Sequence, residues 1–224
     1  MKDFAVIVDL NGTLLDTEIP FFYAYKEMLA EYDISFTREK FTEHWSTKGK
    51  KLKDFLIEIK REDLRPIENE MLSEKNKIFH DILKEKAILM AGAKEFLLNL
   101  KQSGIKIGLD SSSTMDNIQI MLKHFDLDDM IDEISSGDMK IDEKKYGERK
   151  KKSSRLKALA DMLEYKCEDC IVIGDAEKDI KGAKEARMKG IAVPNQYTKN
   201  NDFSLADNIV KSLKDITPQL LSSL

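Results

Sequence analysis

Two short apolar runs in this chain end in acidic residues. The first covers residues 4–8 and leads directly into Asp9. The second covers residues 170–174 and leads into Asp175, with Asp179 four residues later. Short runs rich in β-branched residues and bounded by turn residues are typical of buried parallel strands. The pattern therefore predicts two buried strands that each carry a carboxylate at the carboxyl end.

A long segment between these strands has helical periodicity. Pro20 suits the first turn of a helix near its beginning. Apolar residues then recur three or four positions apart in three groups: Tyr25, Met28, Leu29 and Tyr32; Leu52, Phe55, Leu56 and Ile59; Met71, Ile78, Ile82 and Leu83. We therefore predict an all-helical insertion over residues 17–86.

The rest of the chain alternates between strand and helix patterns. Strands are predicted at 105–110, 170–174 and 190–194, and helices at 116–124, 153–163 and 179–188. Such alternation favours a parallel sheet with helices on both faces. The predicted fold class is α/β: a Rossmann-like, doubly wound parallel sheet formed by residues 1–16 and 87–224, interrupted by the helical insertion.

The strand ends predict a metal site. Ligands of open α/β sheets bind at the carboxyl ends of the strands, so Asp9 is expected near Asp175 and Asp179. Mg²⁺ prefers oxygen ligands and keeps several waters, so one or two carboxylates and a substrate phosphate suffice. Zinc is disfavoured because the three histidines lie far apart and Cys167 and Cys170 are the only cysteines.

Composition limits the partners of this protein. Lys and Arg number 37 against 41 Asp and Glu, and the net charge of -4 argues against a nucleic-acid-binding surface. No apolar run is long enough to cross a bilayer, and Asp3 and Asp9 interrupt the amino terminus where a secretory signal needs a continuous apolar stretch. We therefore expect a cytoplasmic protein that binds neither nucleic acid nor membrane.

Both acidic segments resemble motifs of the haloacid dehalogenase superfamily, and the resemblance covers nearly the whole chain. The matching segments are Asp9-Leu-Asn-Gly-Thr13 and Gly174-Asp175-Ala-Glu-Lys-Asp179. Phosphatase and β-phosphoglucomutase-like members have a small helical cap between the first and second motifs, which closes over the active site and selects substrates. Residues 17–86 occupy that place. The resemblance implies a Mg²⁺-dependent phosphatase that acts on a small phosphorylated metabolite.

The same resemblance assigns roles around the metal. It implies that Asp9 is the nucleophile, which forms an aspartyl-phosphate and also binds Mg²⁺. Asn11 would provide its backbone carbonyl oxygen as a ligand. Asp175 would be a further ligand, and Asp179 would support the site, either directly or through water.

A phosphate-binding set is also implied. Ser111 follows the predicted strand 105–110 and occupies the place of the family's phosphate-binding Ser or Thr, although this serine run also fits a helix N-cap. The implied phosphate-binding residues are Gly12, Thr13, Ser111, Ser112 and Lys150.

The choice of lysine depends on a count along the chain. Family members carry a lysine near the nucleophile, usually in a Lys-Pro-x-Pro segment that this chain lacks. Counting back from Cys170 without gaps indicates Lys150, and Lys151 and Lys152 are close rivals. An ammonium group at this place would neutralise charge on the phosphoryl oxygens.

Asn11 departs from the family pattern. Phosphatases of the family usually have an Asp there, which protonates the leaving oxygen and then helps water attack. General acid–base catalysis contributes about 10²–10⁴ in rate, so we expect an attenuated phosphatase unless another group transfers the proton. The alternatives are a β-phosphoglucomutase-like phosphosugar mutase and a catalytically weak protein that binds Mg²⁺ and phosphate.

A candidate specificity loop lies in the helical insertion at residues 43–51. Its candidate substrate contacts are Trp45, Lys48 and Lys51, because the lysines would bind a second anionic group and Gly49 allows a close turn. The alternative is that Trp45 packs in the core and the lysines are solvated.

Overall fold

The computed structural model of this protein describes residues 4–47 and 50–224. The chain divides into two compact units. The core unit comprises Met1–Asp16 and Ile88–Leu224, and the helical unit comprises Thr17–Ala87. The helical unit ends one residue beyond the predicted insertion.

Six strands of the core unit form one parallel sheet within the described residues. Its strand order is β5-β4-β1-β6-β7-β8, while β2 and β3, which flank the insertion in sequence, pair with each other in antiparallel fashion. The strand bounds are β1 Ala5–Asp9, β2 Leu15–Asp16, β3 Ile88–Leu89, β4 Lys106–Asp110, β5 Glu133–Ser135, β6 Cys170–Gly174, β7 Lys189–Ala192 and β8 Asn208–Ile209.

The helices mostly follow the predicted periodicity. Their bounds are α1 Glu18–Ala30, α2 Arg38–Phe41, α3 Leu52–Glu58, α4 Glu68–Lys86, α5 Ala93–Gln102, α6 Met115–His124, α7 Glu143–Tyr146, α8 Lys152–Met162, α9 Glu177–Glu185 and α10 Pro218–Ser222. A π-helical turn, Thr42–Thr47, extends α2. The helix predicted at 179–188 is observed at Glu177–Glu185, and the left-handed conformation of Arg187 (φ 62°) prevents it from continuing to residue 188. No helix in the described part of the chain has both the length and the apolar character to cross a bilayer.

The sheet buries apolar residues on its faces. Ala5 and Ile7 of β1 pack with Val172 of β6 against apolar residues of α8 and α9. Helices lie on both sides of the sheet, so the predicted α/β fold class is confirmed. Since every residue of β1 is buried, the nearly continuous apolar run at residues 4–8 is explained by a central position in the sheet.

Strand order determines where ligands bind. From β1 the chain passes to β4 and β5 on one side, and it then returns to β6 on the other side of β1. Such a reversal opens a crevice at the carboxyl ends of the strands, which is the usual ligand site of open α/β sheets. Asp9 ends β1 and lies in register with Asp110 at the end of β4.

The helical unit has an aromatic core of its own. Phe22, Tyr25, Phe41 and Phe55 are buried there, and the half-buried Trp45 packs against them. The Trp45 ring stacks on Phe41, with 5.8 Å between ring centroids and an interplanar angle of 14°.

Candidate active site

Three buried carboxylates meet at the carboxyl edge of the sheet. Asp9 ends β1, Asp175 follows β6, and Asp179 lies in the first turn of α9. Each offers one carboxylate oxygen, and these oxygens all lie within 4.8 Å of one another. The two predicted strand ends therefore come together as the sequence indicated.

Glycine makes this close approach possible. Gly12 has φ of 96°, and a Cβ atom there would lie 2.6 Å from Oδ2 of Asp175. A Cβ atom on Gly174 would lie 2.4 Å from Cβ of Asp179. Both acids thus occupy space that any larger residue at these glycines would fill.

Lys152 contacts two of these carboxylates and lies close to Asp110. Its Nζ donates hydrogen bonds of 2.7 Å to Oδ1 of Asp9 and 2.7 Å to Oδ1 of Asp179. It also lies 3.3 Å from Oδ2 of Asp110. As the first residue of α8, Lys152 projects into the crevice between β1, β4 and β6.

Burial and neighbouring charges shift the pKa values of the three acids. Burial raises the pKa of Asp9 to about 6, opposed by Lys152 and reinforced by Asp179. Burial raises the pKa of Asp175 to about 7, and the neighbouring charges of Asp179 and Asp9 add to this effect. Burial also acts on Asp179, but the charge of Lys152 outweighs it and lowers the pKa of that carboxyl. The cluster therefore favours an additional positive charge.

A second buried pair supports Lys152. Arg155, one turn along α8, donates from Nε and a terminal nitrogen to the two carboxylate oxygens of Asp110, at 3.0 Å each. Asp110 is fully buried and Arg155 nearly so. Since this pair is neutral overall, it adds no net charge to the carboxylate cluster.

Asp175 is oriented by two side chains. Oδ1 accepts a hydrogen bond from the Thr13 hydroxyl at 3.1 Å. Oδ2 accepts one from Nδ2 of Asn195 at 2.9 Å, and the same nitrogen also donates to the carbonyl oxygen of Gly12 at 3.0 Å. Thr13 and Gly12, predicted to bind phosphate, thus take part in holding Asp175.

The residues present fit Mg²⁺. Asp9, Asp175 and Asp179, together with the ammonium of Lys152 that contacts two of them, carry a formal charge of about -2 when all are ionised. All three acids offer oxygen, the hard donor that Mg²⁺ prefers. A divalent cation would complement both the charge and the donor chemistry of the cluster.

A family model described as haloacid dehalogenase-like hydrolase matches residues 6–193. The chain belongs to this family. The resemblance read from the two acidic segments is thereby confirmed, and the protein is a hydrolase of the haloacid dehalogenase type.

Relatives include both phosphatases and a mutase. Hexitol phosphatase B of Escherichia coli strain K12 is 25% identical over 217 residues, which cover 95% of this chain and 94% of that protein. Beta-phosphoglucomutase of Bacillus subtilis strain 168 is 29% identical over 227 residues, covering 97% and 93%. A crystal structure of CbbY from Rhodobacter sphaeroides in complex with phosphate has a TM-score of 0.79 at 19% identity, covering 98% of this chain and 99% of that one, a likeness that shows the fold.

In this haloacid dehalogenase-like hydrolase, Asn11 contacts the serine run after β4. Its Nδ2 donates to Oγ of Ser111 at 3.1 Å and to Oγ of Ser113 at 3.2 Å. Ser111 is buried, whereas Ser112, predicted to bind phosphate, is exposed. Ser113, which is not among the predicted phosphate-binding residues, provides the second hydroxyl beside Asn11.

The lysine beside Asp9 is Lys152, one of the two rivals, and not Lys150, which the count along the chain favoured. Lys150 is exposed in the turn before α8, and Lys152 contacts Asp9. A count back from Cys170 depends on where α8 begins and on the loop that follows it, and periodicity determines neither to better than a few residues. Lys150 lies in the turn outside the helix, whereas Lys152 is the first residue of α8 and its side chain reaches Asp9.

The predicted cap contacts have other surroundings. Trp45 belongs to the aromatic core of the helical unit, so packing accounts for it. Lys51 is exposed, its backbone N–H bonds Oδ2 of Asp54 at 3.0 Å, and its carbonyl oxygen contacts Nε2 of His44 at 3.1 Å. Lys48 lies outside the described residues.

Two residues missed by the sequence analysis had a readable signal. Asp110 ends the predicted strand 105–110, and Asn195 directly follows the predicted strand 190–194. The rule that identified Asp9, an acid at the end of a strand, therefore applied to Asp110, and Asn195 occupies the equivalent position with an amide. Arg155 carried no such signal, because it lies inside a helical pattern that also contains the partly exposed Lys157.

Proposed function

We propose that this protein is a Mg²⁺-dependent phosphoryl-transfer hydrolase that acts on a small phosphorylated metabolite through an aspartyl-phosphate on Asp9. The contact that carries the proposal is the 2.7 Å hydrogen bond between Lys152 Nζ and Asp9, beside two further buried acids. The relatives named hexitol phosphatase and beta-phosphoglucomutase support a phosphorylated small molecule as the substrate.

Each residue has a defined task in this proposal. A carboxylate oxygen of Asp9 attacks phosphorus in line with the leaving group. Lys152 holds Asp9 in position and neutralises charge on the phosphoryl oxygens as it develops. The hydroxyl of Ser111, which accepts a hydrogen bond from the amide of Asn11, donates its own proton to the same oxygens.

The metal would be held by Asp9, Asp175 and the backbone oxygen of Asn11, with Asp179 supporting the site. When bound, Mg²⁺ would screen the repulsion between the carboxylates and the incoming phosphate. Thr13 and Asn195 hold Asp175 in the orientation that this role requires.

Phosphate release from a panel of phosphate esters, with Mg²⁺ or with a chelator, tests the proposal. We expect turnover only with Mg²⁺, loss of turnover in Asp9→Asn, and covalent phosphate on Asp9 by peptide mass spectrometry. Asp175→Asn keeps the size of the side chain and one accepting oxygen but removes the carboxylate charge, so it should lose the response to Mg²⁺. Turnover that survives in Asp9→Asn would refute the nucleophile assignment.

A phosphosugar mutase is the second candidate, and its support is the 29% identity with beta-phosphoglucomutase. A mutase returns the phosphoryl group to a second hydroxyl of the sugar, so it needs a sugar bisphosphate intermediate. Incubation with a hexose 1-phosphate and analysis of the products separates the candidates: isomerised sugar phosphate indicates the mutase, and free phosphate indicates the hydrolase.

A further inference from the structure

The side chain of Asn11 is an amide, which donates hydrogen bonds but does not transfer a proton. Its Nδ2 donates to the Oγ atoms of Ser111 and Ser113, at 3.1 and 3.2 Å. An amide has hydrogen-bond donors and an acceptor, yet it neither releases nor takes up a proton at neutral pH. This position therefore provides no general acid for a leaving group and no general base for water.

The neighbouring carboxylates are already engaged. Three of the four accept hydrogen bonds from an ammonium or guanidinium group, which favours their ionised form. The fourth, Asp175, accepts a hydrogen bond on each of its oxygens and would be ionised as a ligand of Mg²⁺. The pairs are Asp9 and Asp179 with Lys152, Asp110 with Arg155, and Asp175 with Thr13 and Asn195. Lys152 itself donates to Asp9 and Asp179 and lies beside Asp110, so its protons are also committed.

The effect on the reaction depends on the leaving group. An alkyl phosphate that receives no proton must release an alkoxide, which is about as basic as hydroxide, the pKa of water being about 15.7. An acyl phosphate, the mixed anhydride of phosphate and a carboxylic acid, releases a carboxylate, whose conjugate acid has a pKa of about 4. A carboxylate departs readily without a proton.

We propose that this hydrolase takes acyl phosphates, in preference to alkyl phosphate esters, as its phosphoryl donors. The inference rests on the proposed function, because it concerns the same aspartyl-phosphate. In the first step an Asp9 oxygen bonds to phosphorus, the bond between phosphorus and the acyl oxygen breaks, and the carboxylate leaves with the electron pair. No proton moves in this step, so Asn11 does not slow it.

The second step, hydrolysis of the aspartyl-phosphate, should be slow. Water must attack phosphorus and lose a proton to release phosphate and regenerate the Asp9 carboxylate. Asn11 cannot accept that proton, so hydrolysis is slow and the aspartyl-phosphate accumulates. We expect a rapid burst of carboxylate release, at most one equivalent per chain, followed by slow turnover.

The experiment compares two donors in two chains, with Mg²⁺ present. Acetyl phosphate and glycerol 3-phosphate are the donors, and kcat/KM is measured for the chain as given and for Asn11→Asp. Acetyl phosphate is intrinsically the more reactive donor, so the change in the ratio of the two kcat/KM values between the chains is the diagnostic quantity. We expect the preference for acetyl phosphate to fall by about 10²–10⁴ in Asn11→Asp, because only the alkyl ester gains from general acid catalysis.

Matched controls isolate the proton transfer. Asn99→Asp adds the same charge on an exposed position of α5 and should leave the ratio unchanged. Asp9→Asn measures covalent phosphorylation at residues other than the nucleophile. Peptide mapping must show intact Asn11, because Asn-Gly pairs are prone to deamidation, which would create Asp at this position.

The outcomes are distinct. Two results overturn the inference but leave the proposed function standing. One is a kcat/KM ratio that does not change in Asn11→Asp. The other is equal kcat/KM values for glycerol 3-phosphate and acetyl phosphate in the chain as given. Absence of Asp9 phosphorylation from both donors in both chains overturns the proposed function and the inference together. A burst with acetyl phosphate alone, and rescue of glycerol 3-phosphate by Asn11→Asp, supports both.

Discussion

Arg155 binds Asp110 through two parallel hydrogen bonds of 3.0 Å, and both side chains are buried. The pair joins α8 to the end of β4, and Asp110 also lies 3.3 Å from Nζ of Lys152. Since Lys152 and Arg155 lie one turn apart on α8, Arg155 neutralises an acid that would otherwise draw Lys152 away from Asp9. Arg155 therefore acts on the site by fixing the surroundings of Lys152.

Loss of Arg155 alone should be far more damaging than loss of the whole pair. Arg155→Met leaves Asp110 buried without its main partner, and we expect the free energy of unfolding to fall by about 3–5 kcal/mol. The double variant Asp110→Asn/Arg155→Met removes both charges and should recover a large part of this loss. Urea denaturation followed by circular dichroism measures both effects.

An exposed ion pair provides the control for that measurement. Arg65 lies 3.9 Å from Glu62, with more than half of each side chain exposed, and Arg65→Met should change stability by less than about 0.5 kcal/mol. If the loss of unfolding free energy in the double variant equals the sum of the losses in Arg155→Met and Asp110→Asn, the coupling between Arg155 and Asp110 is contradicted.

The two rival lysines can be separated by substitution. Lys152→Met should lower turnover of 4-nitrophenyl phosphate by about 10²–10³, because it removes the charge that faces the transferred phosphoryl group. Lys150→Met should leave turnover close to that of the unchanged chain, because Lys150 is exposed. Steady-state kinetics with saturating Mg²⁺ gives both values. A larger loss in Lys150→Met would reverse the assignment.

Asn195 should control metal affinity through Asp175. Asn195→Ala removes the 2.9 Å hydrogen bond to Asp175 and the 3.0 Å hydrogen bond to the Gly12 carbonyl. Substitution of residues that orient a metal ligand usually weakens binding by about 10–100-fold, and we expect a loss of Mg²⁺ affinity in that range by isothermal titration calorimetry. The exposed Asn99→Ala is the matched control. Unchanged Mg²⁺ affinity in Asn195→Ala would show that Asn195 does not contribute to metal binding.

Lys75 should make the free energy of unfolding vary with pH in the alkaline range. It is buried in the helical unit, with Nζ 5.2 Å from the ring centroid of Phe21 and 5.7 Å from that of Phe79. Burial lowers its pKa from 10.5 to about 8. Between these values the unfolded chain binds more protons than the folded one, so the contribution of Lys75 to stability rises with pH. Below about pH 8 both states are charged and the penalty is complete.

Lys75→Met should therefore be more stable than the unchanged chain at neutral pH, by on the order of 3 kcal/mol, and this advantage should shrink as the pH approaches 10.5. Unfolding free energies across that range provide the measurement. Lys77→Met is the control, because 71% of the Lys77 side chain is exposed. An advantage that is constant with pH would show that Lys75 does not titrate as its burial requires.

Much of the architecture was predictable because its signals are local. A strand that is buried on both faces needs a nearly continuous apolar run, so β1 and β6 could be recognised and β6 was predicted at its observed bounds. An acid directly after such a strand lies at the carboxyl edge of the sheet, which located Asp9 and Asp175. The short strands β5 and β8 carried too few residues for any periodicity to develop.

The sequence by itself determined the α/β class, the helical insertion and the edge of the sheet at which the acids lie, because these follow from periodicity and from residues adjacent to a strand end. Only the tertiary structure decided that Lys152 and not Lys150 reaches Asp9, that Arg155 binds Asp110, and that Asn195 orients Asp175. These contacts join residues that are far apart in the chain. They depend on the order of the strands and on the rotation of α8 about its axis, which are set by the packing of helices on the sheet.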